Sequence, residues 1–150
     1  MMTLNLEGIH KEWREDSTIP VHQLDETSRQ TPLLHSKYRE YLDVTKQSLR
    51  RAENSQKILL KEKWLYYNGK MDQKEIIEKG WEPDPFNGLK ILKGEMDYYY
   101  ESDPEIQKSE DRIVALKTQI DTLEDILNVL RWRHSTIKNM IDYRKFESGG

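Results

Sequence analysis

Residues 31–70 read TPLLHSKYREYLDVTKQSLRRAENSQKILLKEKWLYYNGK, and this stretch decides the fold. Thr31 has the side chain of a helix N-cap, and Pro32 fits the first helical position, where its missing N–H costs nothing. No further proline or glycine follows until Gly69, which with Asn68 is typical of a helix end. The pattern predicts one long helix over about 32–67, roughly 54 Å in length at ~1.5 Å rise per residue.

This stretch is basic although the chain is acidic. It holds nine lysines and arginines against four acids, whereas the whole chain has a net charge of −3. At about 100° per residue, five cations fall on a narrow stripe that ends at Trp64, and the apolar residues fall roughly opposite. We name these five cations the basic stripe: Arg39, Lys46, Arg50, Lys57 and Lys61. The helix is therefore expected to have a packing face and a basic face. Asp43 and Glu53 lie close to the basic stripe and weaken its positive charge.

Cations interleaved with aromatic rings are typical of proteins that bind single-stranded nucleic acid, because the cations meet phosphates and the rings stack on bases. The predicted DNA-binding residues are the basic stripe with four residues at the end of the helix: Arg39, Lys46, Arg50, Lys57, Lys61, Lys63, Trp64, Tyr66 and Tyr67. Two alternatives stay open. The stripe could be only a solvated face, and Tyr66 and Tyr67 could be core residues. Lys63 projects towards the apolar side, so it requires a distorted helix or a snorkelling side chain.

A second long helix is predicted over about 104–147, because Asp103-Pro104-Glu105 supplies an N-cap, a first-turn proline and an early acid. Its apolar residues form a heptad repeat of eight positions, interrupted by His134, which we interpret as a register-setting core residue. We predict these residues to mediate oligomerisation: Ile113, Leu116, Ile120, Leu123, Leu127, Leu130, Ile137 and Ile141. The 32–67 helix of the same chain is the alternative partner, and the length of the stripe favours assembly.

The remaining segments are less regular. Residues 1–30 form an N-terminal arm in which Leu6, Ile9 and Trp13 predict a short helix that docks on a neighbour or a partner. A polar stretch over 20–30 follows, which is expected to be extended or a loop. Residues 71–103 form an irregular acidic insert, with a short helix over 72–79 closed by Gly80 and either a hairpin or an irregular arm over 89–100. The prediction is one all-α domain over 1–150, with segments 1–30, 31–70, 71–103 and 104–150, completed by oligomerisation.

Composition excludes several classes. With 35% apolar and 34% charged residues, the chain is lean for a compact monomer, which favours exposed helices or oligomers. The absence of cysteine excludes disulfides and thiolate metal sites and favours a cytosolic protein. The sequence contains no apolar run long enough to predict a membrane span. Met1–Glu7 do not resemble a signal peptide. The four histidines are scattered, and phosphate loops, dinucleotide fingerprints and nucleophile elbows are absent. We therefore expect no catalytic residues, no metal, no cofactor and no enzyme activity.

Three pieces of the sequence resemble a known family. They are Leu34-His35-Ser36-Lys37-Tyr38, then Leu60-Lys61-Glu62-Lys63-Trp64-Leu65-Tyr66-Tyr67-Asn68-Gly69, and the ending Tyr143-Arg144-Lys145-Phe146-Glu147-Ser148-Gly149-Gly150. Together they resemble the UvsY family, the recombination mediators of T4-like bacteriophages. The resemblance covers about 34–70 and the end of the chain and is vague through the insert.

The resemblance implies a non-enzymatic, helical, ring-like homo-oligomer that binds single-stranded DNA in the cytoplasm of the infected bacterial host. It also implies two protein partners, the phage recombinase and the phage single-stranded-DNA-binding protein. Such mediators help load the recombinase onto strands that the single-stranded-DNA-binding protein already covers. The family's Leu-Lys-x-Arg-Leu-like DNA-binding element corresponds to Leu60, Lys61, Lys63 and Trp64. Here Lys63 replaces arginine and Trp64 replaces leucine, which keeps the charge but changes the contact geometry.

The resulting hypothesis is a mediator that binds single-stranded DNA without sequence specificity, with the acidic insert and the N-terminal helix as candidate contacts for partner proteins. The alternative is a helical scaffold for protein–protein assembly, whose basic stripe is only solvated. A second cation–aromatic group at the C-terminal end consists of Arg131, Trp132 and Arg133, followed by Tyr143, Arg144, Lys145 and Phe146. We interpret it as helix-dipole compensation or a subunit interface rather than as a DNA contact.

Overall fold

The computed structural model describes residues 4–149. These residues form six α-helices and one short 3-10 turn at Lys93–Glu95, and no strand is found among them. The helices are α1 Leu6–Asp16, α2 Leu24–Tyr67, α3 Gln73–Lys79, α4 Met96–Ser102, α5 Pro104–Arg131 and α6 Arg133–Glu147. The all-α prediction is confirmed. Residues 1–3 of the N-terminal arm and residue 150 of the last segment lie outside the described residues.

The chain divides into two compact units that do not follow the four predicted segments. Unit 1 comprises residues 1–48 and 115–150, and unit 2 comprises residues 49–114. Consequently α2 and α5 each contribute one part to unit 1 and the other part to unit 2.

Unit 1 is built around an apolar cluster that joins α1 to parts of α2 and α5. Its buried members are Ile9, Tyr38, Leu42, Leu123, Ile126, Leu127 and Leu130. Trp13 of α1 packs edge-on against Tyr38, with ring centroids 5.5 Å apart. The N-terminal helix therefore docks, as expected, and its neighbour is its own chain.

Unit 2 has a smaller core where α2 ends and α3 begins. Tyr66, Met71 and Ile76 are buried there, with Leu65, Tyr67 and Trp81 packed against them. The predicted short helix is confirmed as α3, and Gly80 closes it in a left-handed conformation with φ 73°. The hairpin alternative for 89–100 is wrong, because this stretch contains the 3-10 turn and the first residues of α4.

The start of α2 differs from the prediction. The helix begins at Leu24, so the expected extended or loop structure is found over 20–23 but is wrong over 24–30, and the N-cap role of Thr31 is wrong as well. Leu24 and Thr27 are buried, and the hydroxyl of Thr31 donates to the Thr27 carbonyl at 3.1 Å. Tertiary burial holds this polar turn in a helix, and Pro32 lies inside it without ending it.

The predicted 104–147 helix is interrupted at Trp132. Its start is confirmed, since the Asp103 carboxylate accepts hydrogen bonds from the backbone N–H groups of Glu105 and Ile106 at 2.9 and 3.1 Å. Trp132 leaves helical geometry, with φ −95° and ψ 3°, and α6 follows it. His134 is exposed and its Nδ1 lies 3.1 Å from the Arg131 carbonyl oxygen, so its predicted core position is wrong.

The heptad residues find most of their packing within the chain. In unit 1, Leu123, Leu127, Leu130 and Ile137 are buried, Leu116 and Ile120 are partly buried, and Ile141 is exposed. In unit 2, Ile113 is buried. The alternative partner, the α2 helix of the same chain, is thus confirmed by the unit 1 cluster. An oligomerisation role for these eight residues stays a prediction.

Candidate nucleic-acid interface

The five cations of the basic stripe all lie on the surface of α2. Arg39 and Lys46 belong to unit 1, while Arg50, Lys57 and Lys61 belong to unit 2, and each of the five is exposed. Arg39 pairs with Asp43 at 3.3 Å, an exposed pair of the kind that contributes about 0–1 kcal/mol. Within residues 4–149, the other four make no ion pair. These ammonium and guanidinium groups are therefore free to meet phosphates.

In unit 1 the opposite face of α2 is held by packing and by ionic contacts to α1. Tyr38 and Leu42 are buried, and Lys37 contacts Glu12 at 2.9 Å and Asp16 at 2.8 Å. Burial alone would lower the pKa of Lys37, but the hydrogen bonds to these two carboxylates raise it. Lys37 is therefore a structural cation that fixes which face of α2 is exposed.

In unit 2 the corresponding anchor is Lys63. This side chain is 5% exposed, and its ammonium lies 3.0 Å from a carboxylate oxygen of Asp103, whose side chain is 2% exposed. The hydroxyl of Tyr67 donates to the same oxygen. Although burial alone would raise the pKa of Asp103, the hydrogen bonds from Tyr67 and Lys63 and the N-cap bond from Ile106 hold it below its ordinary value of 3.8. Asp103 therefore caps α5 and binds the end of α2 at once.

Aromatic rings complete this anchor. The Lys63 ammonium lies 3.8 Å from the ring centroid of Trp81, a cation–π contact. The indole N–H of Trp81 donates to Glu105, and the hydroxyl of Tyr66 donates to the Glu82 carbonyl at 2.7 Å. The loop after α3 is thereby tied to the end of α2.

These contacts correct the sequence-based list of DNA-binding residues. Lys63 and Tyr66 are 4% and 7% exposed, so they offer a DNA strand almost no surface. Tyr67 is partly buried, and burial together with its hydrogen bond to Asp103 raises its pKa. The burial of Tyr66 fits the core alternative that the sequence left open. Lys63 lies on the apolar side, as its helical position indicates, but its ammonium is buried in an ion pair and does not snorkel to solvent.

The stripe ends at an exposed aromatic ring. Trp64 is 41% exposed, and the Lys70 ammonium lies 4.6 Å from its ring centroid. Lys70 is not among the predicted DNA-binding residues, because it follows the helix end at Gly69 and so has no place on a helical wheel. The alternation of cations and aromatic rings along the sequence is the signal that points to Lys70.

The C-terminal cation–aromatic group divides into anchors and exposed rings, all in unit 1. Arg133 is buried and donates to the Asp16 carbonyl at 3.1 Å, and Arg144 donates to the Val21 carbonyl at 2.7 Å. The rings of Trp132, Tyr143 and Phe146 are 58%, 63% and 78% exposed. Two arginines therefore hold the α1–α2 loop, while the rings remain available at the surface.

The described part of the chain has neither a metal-binding group nor a membrane-spanning helix. No group of three or more His, Cys, Asp or Glu side chains in it could hold a metal ion. None of its helices is both long and apolar enough to cross a bilayer.

The chain is similar to proteins of known role. A family model described as "Recombination, repair and ssDNA binding protein UvsY" matches residues 12–150. The recombination protein uvsY of Enterobacteria phage T4 is 25% identical over 146 residues, which are 97% of this chain and 99% of that protein.

Solved structures agree in fold. Two crystal forms of the bacteriophage T4 recombination mediator protein UvsY match with TM-scores of 0.78 and 0.77, at 24% and 23% identity. The matches cover 97% and 96% of this chain and 99% of each crystallised chain. Because the family model spans nearly the whole sequence, the chain belongs to the UvsY family of recombination, repair and single-stranded-DNA-binding proteins.

Proposed function

We propose that this protein is a recombination mediator that binds single-stranded DNA without sequence specificity and helps load a phage recombinase onto strands covered by single-stranded-DNA-binding protein. The observation that carries the proposal is the basic stripe. Five cations are exposed on one helix, and the cations on its other face, Lys37 and Lys63, are engaged with carboxylates. In each of the two units, the free charge of α2 therefore lies on the surface that a DNA strand can reach.

The proposed contacts are to the DNA backbone. Lysine and arginine side chains on an exposed helix face meet phosphates, and the exposed ring of Trp64 offers a stacking surface that any base can use. Neither contact reads base edges, so binding is sequence-tolerant. Lys63 and Tyr66 support the interface by fixing the end of α2 rather than by touching DNA.

We propose that the protein acts as a homo-oligomer in the form of a ring. The mediator role requires such an assembly because each subunit alone supplies only a few phosphate contacts. Copies of the stripe in one assembly multiply those contacts by avidity. We assign the subunit contacts to an exposed apolar surface that consists of Ile141 and the rings of Tyr143 and Phe146. The acidic insert over 71–103 is proposed to face the recombinase or the single-stranded-DNA-binding protein, in the cytoplasm of the infected host.

The test is fluorescence anisotropy of a labelled mixed-sequence single strand, titrated at several salt concentrations. We expect tight binding at low salt, and a slope of log affinity against log salt of about −0.7 for each phosphate contacted. The Lys57→Ala/Lys61→Ala variant should lower both affinity and slope. Its matched control is Lys74→Ala/Lys93→Ala, which removes two exposed lysines of the insert.

The second candidate function is a helical scaffold for protein assembly, and the exposed apolar residues of α6 favour it. A scaffold requires the oligomer but not the stripe. If the wild-type protein fails to bind the strand at low salt while remaining oligomeric, the mediator proposal fails and the scaffold remains.

A further inference from the structure

The loop after α3 and the end of α2 enclose a cavity in unit 2. The proposed function assigns no role to this cavity. Its volume is about 550 Å³, within the range of roughly 300–1,000 Å³ that is usual for small-molecule sites. We propose that this cavity holds one nucleotide of the bound single strand, with the base against an aromatic wall and the phosphate near two lysines. The proposal rests on the proposed function and names a second contact for the same ligand.

The wall consists of rings that are already held in place. Tyr67 and Phe86 both line the cavity, and their ring centroids lie 5.8 Å apart. The ring of Tyr99, which does not line the cavity, packs against both, with centroids 5.7 Å from Tyr67 and 4.7 Å from Phe86. Rings fixed in this way lose little freedom when a base stacks on them, and base–aromatic stacking tolerates every base.

The turn that carries Phe86 has a defined geometry. Asn87 and Gly88 have positive φ values of 52° and 81°, and the Asp84 carboxylate accepts the Gly88 N–H at 2.9 Å. This turn presents Phe86 to the cavity. Asp84, the only acid among the lining residues, is thereby partly engaged by its own loop.

The charge of the cavity favours a phosphate. The insert is strongly acidic, yet the charged residues that line the cavity are Lys70, Lys90 and Asp84, a net charge of +1. Both lysines are exposed. An apolar side chain of a partner protein could use the aromatic wall, but it would make no use of the two ammonium groups, whereas a nucleotide uses both features.

Position links the cavity to the stripe. Lys70 lines the cavity and also lies over the ring of Trp64, which follows Lys61 by one helical turn. A strand that runs along Lys57 and Lys61 therefore meets Trp64, then Lys70, and then the cavity. All of these residues belong to unit 2.

The test uses the full chain and a thymidine oligonucleotide that carries 5-iodouracil. Irradiation should cross-link the base to the peptide that contains Phe86. In anisotropy titrations, Phe86→Leu should weaken binding by at least about fivefold, the lower end expected for the loss of one stacked base. Lys90→Gln should weaken binding. It should also make the slope of log affinity against log salt less steep by about 0.7 for each subunit bound to the strand, because each subunit loses one phosphate contact.

Matched controls come from the same insert. Tyr98 is 72% exposed and Lys93 is exposed, and neither lines the cavity, so Tyr98→Leu and Lys93→Gln should bind as the wild type does. Because Phe86→Leu removes ring packing, Lys90→Gln serves as the variant that leaves the fold intact.

The outcomes separate this inference from the proposed function. If both cavity variants bind like their controls while Lys57→Ala/Lys61→Ala binds weakly, the cavity assignment is overturned and the mediator proposal stands. If Phe86→Leu retains DNA affinity but loses binding to a purified recombinase, the occupant is a protein, which also overturns it. If the stripe variant binds as tightly as the wild type, the assignment of Lys57 and Lys61 to the interface fails, whereas the proposed function itself fails if the wild type does not bind the strand at low salt.

Discussion

Lys63 is the residue whose position most changes the interpretation of the basic helix. It lies two positions from Lys61, yet one lysine is exposed and the other is 4% exposed and paired with Asp103. A substitution at either position removes one positive charge from the same stretch. Only the exposed lysine can be removed without leaving a buried carboxylate unpaired, so the two residues must be tested separately.

We expect Lys63→Met to lower the free energy of unfolding by about 3–5 kcal/mol, because it leaves the Asp103 charge buried without its partner. Urea denaturation measures this loss. The matched variant Lys61→Met should change stability by less than about 0.5 kcal/mol and should weaken DNA binding. Unchanged stability of Lys63→Met, together with lost DNA affinity of the folded protein, would contradict the anchor role.

Asp103 makes a specific contribution to acid stability. Its pKa lies below 3.8 in the folded protein, so the unfolded chain binds the proton more readily. The stabilisation is fully present above the unfolded pKa and is lost as pH falls below about 4 through the folded value. The difference in urea midpoint between the wild type and Asp103→Asn should therefore be largest near pH 6 and shrink towards pH 3. A difference that grows on acidification would show the opposite linkage.

At the scale of elements, α2 begins at Leu24, eight residues before the start that its sequence pattern predicts. The residues Leu24 to Gln30 look polar and follow Pro20, and Thr31-Pro32 is a plausible helix start. Burial of Leu24 and Thr27 decides otherwise. The packing gained there exceeds the cost of a proline inside the helix, which local sequence preference cannot weigh.

Hydrogen exchange can measure where α2 begins. We expect the amides of Ser28, Arg29 and Gln30 to be protected, because a helix that begins at Leu24 pairs them with carbonyls four residues earlier. The amides of Val21 and His22, before the helix, should exchange quickly. If the amides of residues 28–30 exchange as fast as those of residues 21 and 22, the helix begins at Pro32 instead.

At the scale of the whole molecule, the exposed rings of α6 carry the proposed assembly. Tyr143→Ser/Phe146→Ser should yield smaller species in sedimentation velocity with an unchanged helical circular-dichroism spectrum, because both rings are already exposed. Affinity for a long single strand should fall by about a hundredfold or more as avidity is lost. The matched control, Leu92→Ser/Tyr98→Ser, removes two residues of similar exposure from the insert. An unchanged oligomer would exclude these rings as the interface.

The sequence alone determined the local features of this protein. The all-α class, the exposed face of α2, the short helix α3 and the Asp103–Pro104 start of α5 all follow from periodicity and capping, which depend on residues a few positions apart. Family membership could be predicted for the same reason, since the motifs of the basic helix are contiguous.

Only the tertiary structure decided which residues of that helix can meet a ligand. Lys63 and Tyr66 belong to the same run of alternating cations and rings as Lys61 and Trp64. They are buried nevertheless, because Asp103, Trp81 and Glu82 reach them from distant parts of the chain. The same long-range folding brings Phe86 and Lys90 to Tyr67 and Lys70 around one cavity. Contacts between residues far apart in sequence leave no periodic signal, so burial and cavities became visible only in the folded chain.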